Sequence, residues 1–121
     1  PNINAALGCA QLENLDKYIA SKRAVAAEYI EHFKNVDGID FFVEPENTFS
    51  NYWLSAVVLK DKESQLDFLQ QTNDNGVMTR PIWELMNRLP MFENCENDGL
   101  GNTIWFADRV VNIPSSVRLN N

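Results

Sequence analysis

One stretch of this 121-residue sequence gathers residue types that could hold a ligand: Met78-Thr79-Arg80-Pro81-Ile82-Trp83-Glu84-Leu85-Met86. An arginine ending a β-run, locked by the following proline and with an aromatic three residues on, can offer a planar fork to a phosphate or carboxylate beside a stacking surface. The same spacing also fits a plainer arrangement, with Arg80 paired to a surface carboxylate and Trp83 filling a small core. Spacing alone leans to the plainer one, because burial accounts for most tryptophans. Asn51, Tyr52 and Trp53 could line the same edge, although burial again favours the core for Trp53. Trp105 and Phe106 read as core residues on the same ground.

The rest of the chemical inventory is thin. His32 is the only histidine, and its place on the solvated side of a helical pattern makes it a surface residue rather than a general base. Lys17, Lys22, Lys34, Lys60 and Lys62 fall on polar helix faces or at a strand-helix junction, whereas a Schiff-base lysine needs burial or neighbouring cations to lower its pKa. Cys9 and Cys95 lie far apart with no CxxC or Cys/His spacing, which reads as reduced thiols and no metal site. GxSxG, P-loop, GxGxxG and HExxH patterns are absent. No catalytic, cofactor-binding or metal-ligating residue is assigned, and a self-contained active site is not expected.

Seventeen acidic against ten basic side chains give a formal charge of -7. Such a surface repels phosphate backbones and anionic headgroups, so nucleic acid and membrane are excluded as expected partners. No apolar run approaches the roughly twenty residues that span a bilayer, and the start lacks the regions of a signal peptide, so a cytoplasmic location is expected. With 45% hydrophobic, 11% aromatic and 22% charged residues, a chain of this length builds one core and not two. It begins at Pro1 and enters a helical pattern within a few residues, which reads as a fragment of something longer.

Those residues must be positioned by a short series of elements. Leu12, Leu15, Ile19, Tyr29, Ile30 and Phe33 recur at helical spacing and predict one long helix from about Ile3 to Lys34, bent near Ala20 to Lys22. Its first turns are small or apolar nearly all round, which suits packing by other protein on several sides. Asp37-Gly38 ends it, and Ile39 to Val43 follows as a short strand. A loop from Pro45 to Ser50 leads to Trp53 to Leu59, the most strand-like run and the predicted centre of a sheet. Asp61 caps a helix from Lys62 to about Asn73, with Leu66 and Leu69 facing inward and Asn75-Gly76 closing it. Val77 to Arg80 reads as a strand cut off by Pro81. A helical turn is expected at Trp83 to Asn87, a polar loop from Glu93 to Gly101, a helix capped by Asn102 through about Val110, and an edge strand from Val111 to Pro114. The sum is an α+β fold: a small antiparallel or mixed sheet with helices on one face and a long N-terminal helix.

The residues also resemble a known family. Pro1-Asn2-Ile3-Asn4-Ala5-Ala6-Leu7-Gly8-Cys9-Ala10-Gln11-Leu12 is similar to the segment that opens the C-terminal part of the DegT/DnrJ/EryC1/StrS aminotransferases, pyridoxal-phosphate enzymes acting on nucleotide-linked keto sugars. Lys22-Arg23 followed by Tyr29, the strand around Trp53, Gly76-Val77-Met78-Thr79-Arg80-Pro81 and Asn112-Ile113-Pro114-Ser115-Ser116 keep that family's order and rough spacing. Thr79 to Trp83, Leu85-Met86, Leu89-Pro90-Met91-Phe92 and Cys95 resemble the branch that makes 4-amino sugars toward legionaminic-acid-type nonulosonates.

The resemblance implies the small C-terminal domain (residues 1–121) of a fold type I aminotransferase. The lysine, aspartate and most phosphate contacts that hold pyridoxal phosphate would belong to a large N-terminal domain absent here, and the family's final helix would be cut short after Ser116. It also implies a homodimer with glutamate as amino donor and the C4 ketone of a nucleotide-sugar as acceptor. Arg80 and Trp83 would then touch that nucleotide-sugar, the first as an anion or hydroxyl binder and the second as a flat wall. The isolated chain would be inactive and prone to self-association through its opening helix. The alternative is a free-standing α+β binding or interaction module, in which Arg80 and Trp83 take a small ligand and the apolar helix start is a homodimer face.

Overall fold

The computed structural model describes residues 1–118. Two helices open the chain, α1 (Asn2–Leu12) and α2 (Leu15–Phe33). Strands β1 (Ile39–Phe41) and β2 (Ser55–Leu59) follow, then α3 (Lys62–Asp74), a short β3 (Arg80–Pro81), a 3-10 turn at Met86–Arg88, α4 (Gly101–Ala107) and β4 (Val110–Ile113). The strands pair in the order β1-β2-β4-β3, every pair antiparallel. The expected α+β class and the central place of β2 are both found.

Side-chain alternation sorts the sheet into two faces. Phe41, Val57, Leu59, Val111 and Ile113 form the core with Tyr52 and Ala26, and Tyr29 and Phe33 of α2 and Phe68 and Leu69 of α3 pack onto them. The opposite face carries Asp40, Phe42, Ala56, Val58 and Asn112 by the same registers. Helix α4 leans on it, through the edge-to-face contact of Phe106 with Phe42 at 6.0 Å between centroids.

Several expectations are corrected. The long helix breaks at Glu13-Asn14 and not near Ala20 to Lys22, because the Asn14 side chain donates to Ala10 O at 3.0 Å and its backbone N–H turns back to Gln11 O. An asparagine that competes for main-chain carbonyls ends a helix more effectively than alanine, serine and lysine, which continue one. β4 is interior, with β3 as the edge. Pro114 lies one residue past β4, so its missing N–H removes no ladder bond, and the proline actually within a strand, Pro81, sits at the edge, where it is tolerated. Val77 to Thr79 does not extend β3. Val77 N–H bonds Thr72 O, and Thr79 Oγ1 meets Thr72 Oγ1 at 2.6 Å and Asn73 Nδ2 at 2.9 Å, so this run is tied to the end of α3.

Helix α4 starts at Gly101 after Leu100 in the left-handed region (φ 52°) and stops at Ala107, before Val110 joins the sheet. Asn102 is therefore inside the helix rather than its cap. The lead-in is set by Asn97 and Asp98, whose side-chain oxygens accept the N–H groups of Gly99 and Leu100. Trp105 and Phe106 are not core: the helix buries only Ala107, and Trp105 lies under the Arg109 guanidinium at 4.6 Å. The helical turn expected at Trp83 to Asn87 forms later, at Met86–Arg88.

In α3 the inward position is Gln65 and not Leu66, which is exposed. Asp61 caps the helix as expected, accepting from Ser64 N–H at 2.9 Å, and Gly76 ends it at φ 77°. Helix α1 buries none of its residues, and Ile3, Leu7 and Leu12 stand exposed. Among the described residues no helix is long and apolar enough to cross a membrane.

Candidate functional site

The site grows from the turn into β2. Counting back from the inward Ser55, Val57 and Leu59, strand alternation would send Trp53 into the core. It does not, because Tyr52 adopts a left-handed backbone (φ 45°) and takes the inward place itself. A bulky residue in that region costs about 1 to 2 kcal/mol, so the surroundings must hold it there. Ser50 Oγ accepts Tyr52 N–H at 3.0 Å, Asn51 Oδ1 accepts Trp53 N–H at 2.9 Å, and the buried Tyr52 hydroxyl accepts Glu44 N–H at 3.2 Å. Trp53 is thereby turned outward and is 65% exposed, which corrects its expected place in the core.

The loop before it is fastened to α2 by an ion pair. Arg23 meets both carboxylate oxygens of Glu44, at 2.7 and 3.0 Å, and donates to Ser50 O at 2.6 Å, while the Phe49 ring stacks on its guanidinium at 4.2 Å. The Arg23 bond, followed by the Ser50 N–H, lowers the Glu44 pKa from 4.5 to about 2. A carboxyl depressed in the folded state stabilises that state fully above its unfolded pKa and loses the contribution as pH falls toward the folded value. The stability difference between wild type and Glu44→Gln should therefore be full above about pH 5 and shrink toward zero between about pH 4.5 and 2. Urea midpoints measured across that range check it, and a difference independent of pH would refute the assignment.

Behind Trp53 lies Lys22. Its Nζ donates to Trp53 O at 3.0 Å and to Ser115 O at 2.6 Å, and Ser115 Oγ donates to the same Trp53 carbonyl at 3.1 Å. Burial lowers the Lys22 pKa. The same C-terminal segment is pinned along α2 by Tyr29 Oη to Pro114 O, by the mutual bonds of Ser21 and Arg118, and by the Arg118–Glu28 ion pair. Lys22 is thus half-buried against the body of the domain and not on a polar helix face.

Arg80 and Trp83 come together as the sequence placed them. With Leu54, Met78, Pro81, Asn112 and Ile113 they line a concavity of about 470 Å³. Trp83 is 70% exposed, so it fills no core. Arg80 is exposed and forms no ion pair among the described residues. The Trp53 and Trp83 rings adjoin, with centroids 6.3 Å apart and planes tilted by 31°. The arrangement is an uncommitted guanidinium beside two open indole faces, which can take an anion and a flat or C–H-rich ring together.

Two of these residues were misplaced by the sequence reading. Trp53 was raised as a liner of this edge but assigned to the core, because the alternation that Tyr52 breaks points it inward. Lys22 carries no local signal because its two carbonyl partners lie 31 and 93 residues away. His32 is exposed, its ring edge-on to Phe33, and both cysteines are free. No group of three or more His, Cys, Asp or Glu among the described residues could hold a metal ion.

The lysines do not fit pyridoxal phosphate. Lys22 has the lowered pKa that imine chemistry needs, but its ammonium is committed to two backbone carbonyls. Lys34 and Lys62 pair with carboxylates at the surface, and Lys17 and Lys60 are exposed. These residues do not make a cofactor site of their own.

This antiparallel α+β domain belongs to the DegT/DnrJ/EryC1/StrS aminotransferase family, whose sequence model matches residues 1–121. Among curated proteins, the chain is similar to the GDP-perosamine synthase of Vibrio cholerae, 30% identical in an alignment of 120 positions that covers 94% of this chain and 32% of that protein. It is similar to the GDP-perosamine synthase of Escherichia coli O157:H7 at 27% identity, over 99% of this chain and 32% of that one. Among solved structures, the aminotransferase TlmJ from Streptoalloteichus hindustanus shares the fold with a TM-score of 0.86 at 20% identity, over 97% of this chain and 31% of TlmJ. The chain spans about a third of the length of the curated relatives it matches.

Proposed function

We propose that this chain is the C-terminal small domain of a pyridoxal-phosphate-dependent sugar-nucleotide aminotransferase. The whole enzyme moves an amino group from glutamate to the C4 ketone of a nucleotide-linked 4-keto-6-deoxy sugar, in surface polysaccharide or nonulosonate biosynthesis, as a cytoplasmic homodimer. The observation that carries this reading is the family match over residues 1–121 of a chain amounting to about a third of its relatives. The unsuitable lysines support it from the other side, since the group that acts as electron sink must then be held by residues outside this chain. Arg80 binds an anionic or hydroxyl group of the nucleotide-sugar, and Trp83 is a flat wall against it. The exposed apolar turns of α1 serve a surface shared with the large domain and the partner subunit.

The test is the product of the complete reading frame, purified and supplied with glutamate and a nucleotide-linked 4-keto-6-deoxyhexose. The expected result is one pyridoxal phosphate per chain, whose imine absorbance is lost on mutating a lysine that precedes Pro1, and 2-oxoglutarate formed in proportion to amino sugar. Turnover by residues 1–121 alone, or a reading frame confined to them, would return the chain to a free-standing binding module.

A further inference from the structure

We propose that Trp53 is a binding residue for the nucleotide part of the substrate, a second aromatic wall beside Trp83 held in place by Lys22. The inference rests on the sugar-nucleotide reading given above. Trp53 is the residue displaced from the core by the left-handed turn at Tyr52, and a cluster of bonds from Ser50, Asn51 and Glu44 maintains that turn. Backbone held in a sparsely populated region by over-determined surroundings marks positions where a side chain must be aimed. Here the side chain aimed outward is the largest apolar one, where burying it would have stabilised the fold.

The Trp53 main chain is also anchored. The Trp53 backbone carbonyl receives both Lys22 Nζ and Ser115 Oγ, from two segments far apart in sequence. The half-buried ammonium ties the Trp53 and Ser115 carbonyls together, which fixes the main chain from which the indole projects. The indole touches Trp83 on one side and on the other lines a second, largely apolar groove of about 230 Å³ with Leu15, Tyr18 and Ile19 of α2. The two tryptophans therefore join the concavity of Arg80 to that groove in one aromatic floor. A ligand with an anionic centre flanked by flat or C–H-rich rings, as a nucleoside diphosphate joined to a hexose is, matches the sequence of cation, indole, indole and apolar groove. Lys22 is a positioning residue, because it acts on the ligand only through the Trp53 main chain.

The test uses the full-length protein with GDP, UDP and dTDP as probes, followed by equilibrium dialysis and quenching of tryptophan fluorescence. Trp53 is exposed, so its variants keep the core. Trp53→Ala should weaken binding of the tightest of the three about tenfold, the span that loss of one stacked base commonly produces. Trp53→Phe should restore most of it, and Lys22→Met should weaken it while leaving the glutamate half-reaction at its wild-type rate. If Trp53→Ala binds as wild type while Arg80→Ala and Trp83→Ala do not, the inference is overturned and the sugar-nucleotide reading stands. Slowing of the glutamate half-reaction by Trp53→Ala as strong as its effect on binding overturns it too, since the role would then be structural. If wild type binds none of the three nucleotides, or all three variants bind them as wild type does, the reading beneath the inference falls and takes the inference with it.

Discussion

Replacing Gln65 by leucine is expected to destabilise the domain by about 2 to 4 kcal/mol, although the change adds an apolar side chain to a fully buried position. The Gln65 amide nitrogen donates to Ala107 O at 3.0 Å and to Val110 O at 2.8 Å, and its oxygen accepts from Lys62 Nζ at 2.7 Å. The two carbonyls flank the turn from α4 into β4. Leucine would leave both buried without a donor, at roughly 1 to 3 kcal/mol each, offset in part by the transfer of its own side chain from water. Urea denaturation of the two proteins reads the difference as a lower midpoint with an unchanged slope. Leu66→Ala, one residue along and exposed, should stay within about 0.5 kcal/mol of wild type. If the two substitutions cost the same, the inward face of α3 has been misassigned.

The other large effect is expected at Arg80. On the function proposed above, Arg80→Ala in the full-length enzyme should lower kcat/KM for the nucleotide-sugar by about 10- to 100-fold, the range of a lost charge-assisted contact of about 1.5 to 3 kcal/mol. The rate of the glutamate half-reaction should be nearly unchanged, because glutamate carries no sugar or diphosphate for this arginine to meet. The guanidinium is exposed and makes no ion pair among the described residues, so removing it breaks no internal pair and the protein should unfold at its wild-type midpoint. Arg80→Lys keeps the charge but not the fork, and an intermediate value would show that geometry contributes beside charge. Equal damage to both half-reactions would make Arg80 a structural residue.

Local signals carried most of the fold into view. The helical spacing of α2, the Asp61 cap and the glycine stop at Gly76 are decided within a few residues, and the structure places them where the sequence did, whereas α2 ends at Phe33 and Gly38 (φ 79°) serves the turn into β1 rather than the helix end. The errors share a cause, in that each was settled by a partner distant along the chain. Gln65 looks like a solvent residue until its two carbonyl partners, 42 and 45 residues on, are known. β4 looks like an edge because Pro114 follows it, and only the return of Arg80–Pro81 to its far side makes it interior. Trp53 looks like core because the break in alternation lies in a single dihedral at Tyr52, whose sequence context of asparagine and serine gives no more than a hint of a turn. The concavity was legible in part. The proline lock and the three-residue spacing raised Arg80 and Trp83 as a pair without deciding between a ligand site and a small core, while the outward turn of Trp53 and the lysine behind it depended on tertiary contacts.

Helix α1 contributes nothing to the core, and at 11 residues it is shorter than the helices that persist unaided in water. Its order is consequently borrowed. With a weak amphipathic stripe and no side-chain cap, its main-chain amides would exchange with solvent almost as fast as those of an unfolded peptide unless some surface lies over Ile3, Leu7 and Leu12. The sheet and α2 can therefore be fully native while these turns are melted, so α1 forms a separate cooperative unit whose helicity reports on what covers it rather than on the stability of the domain.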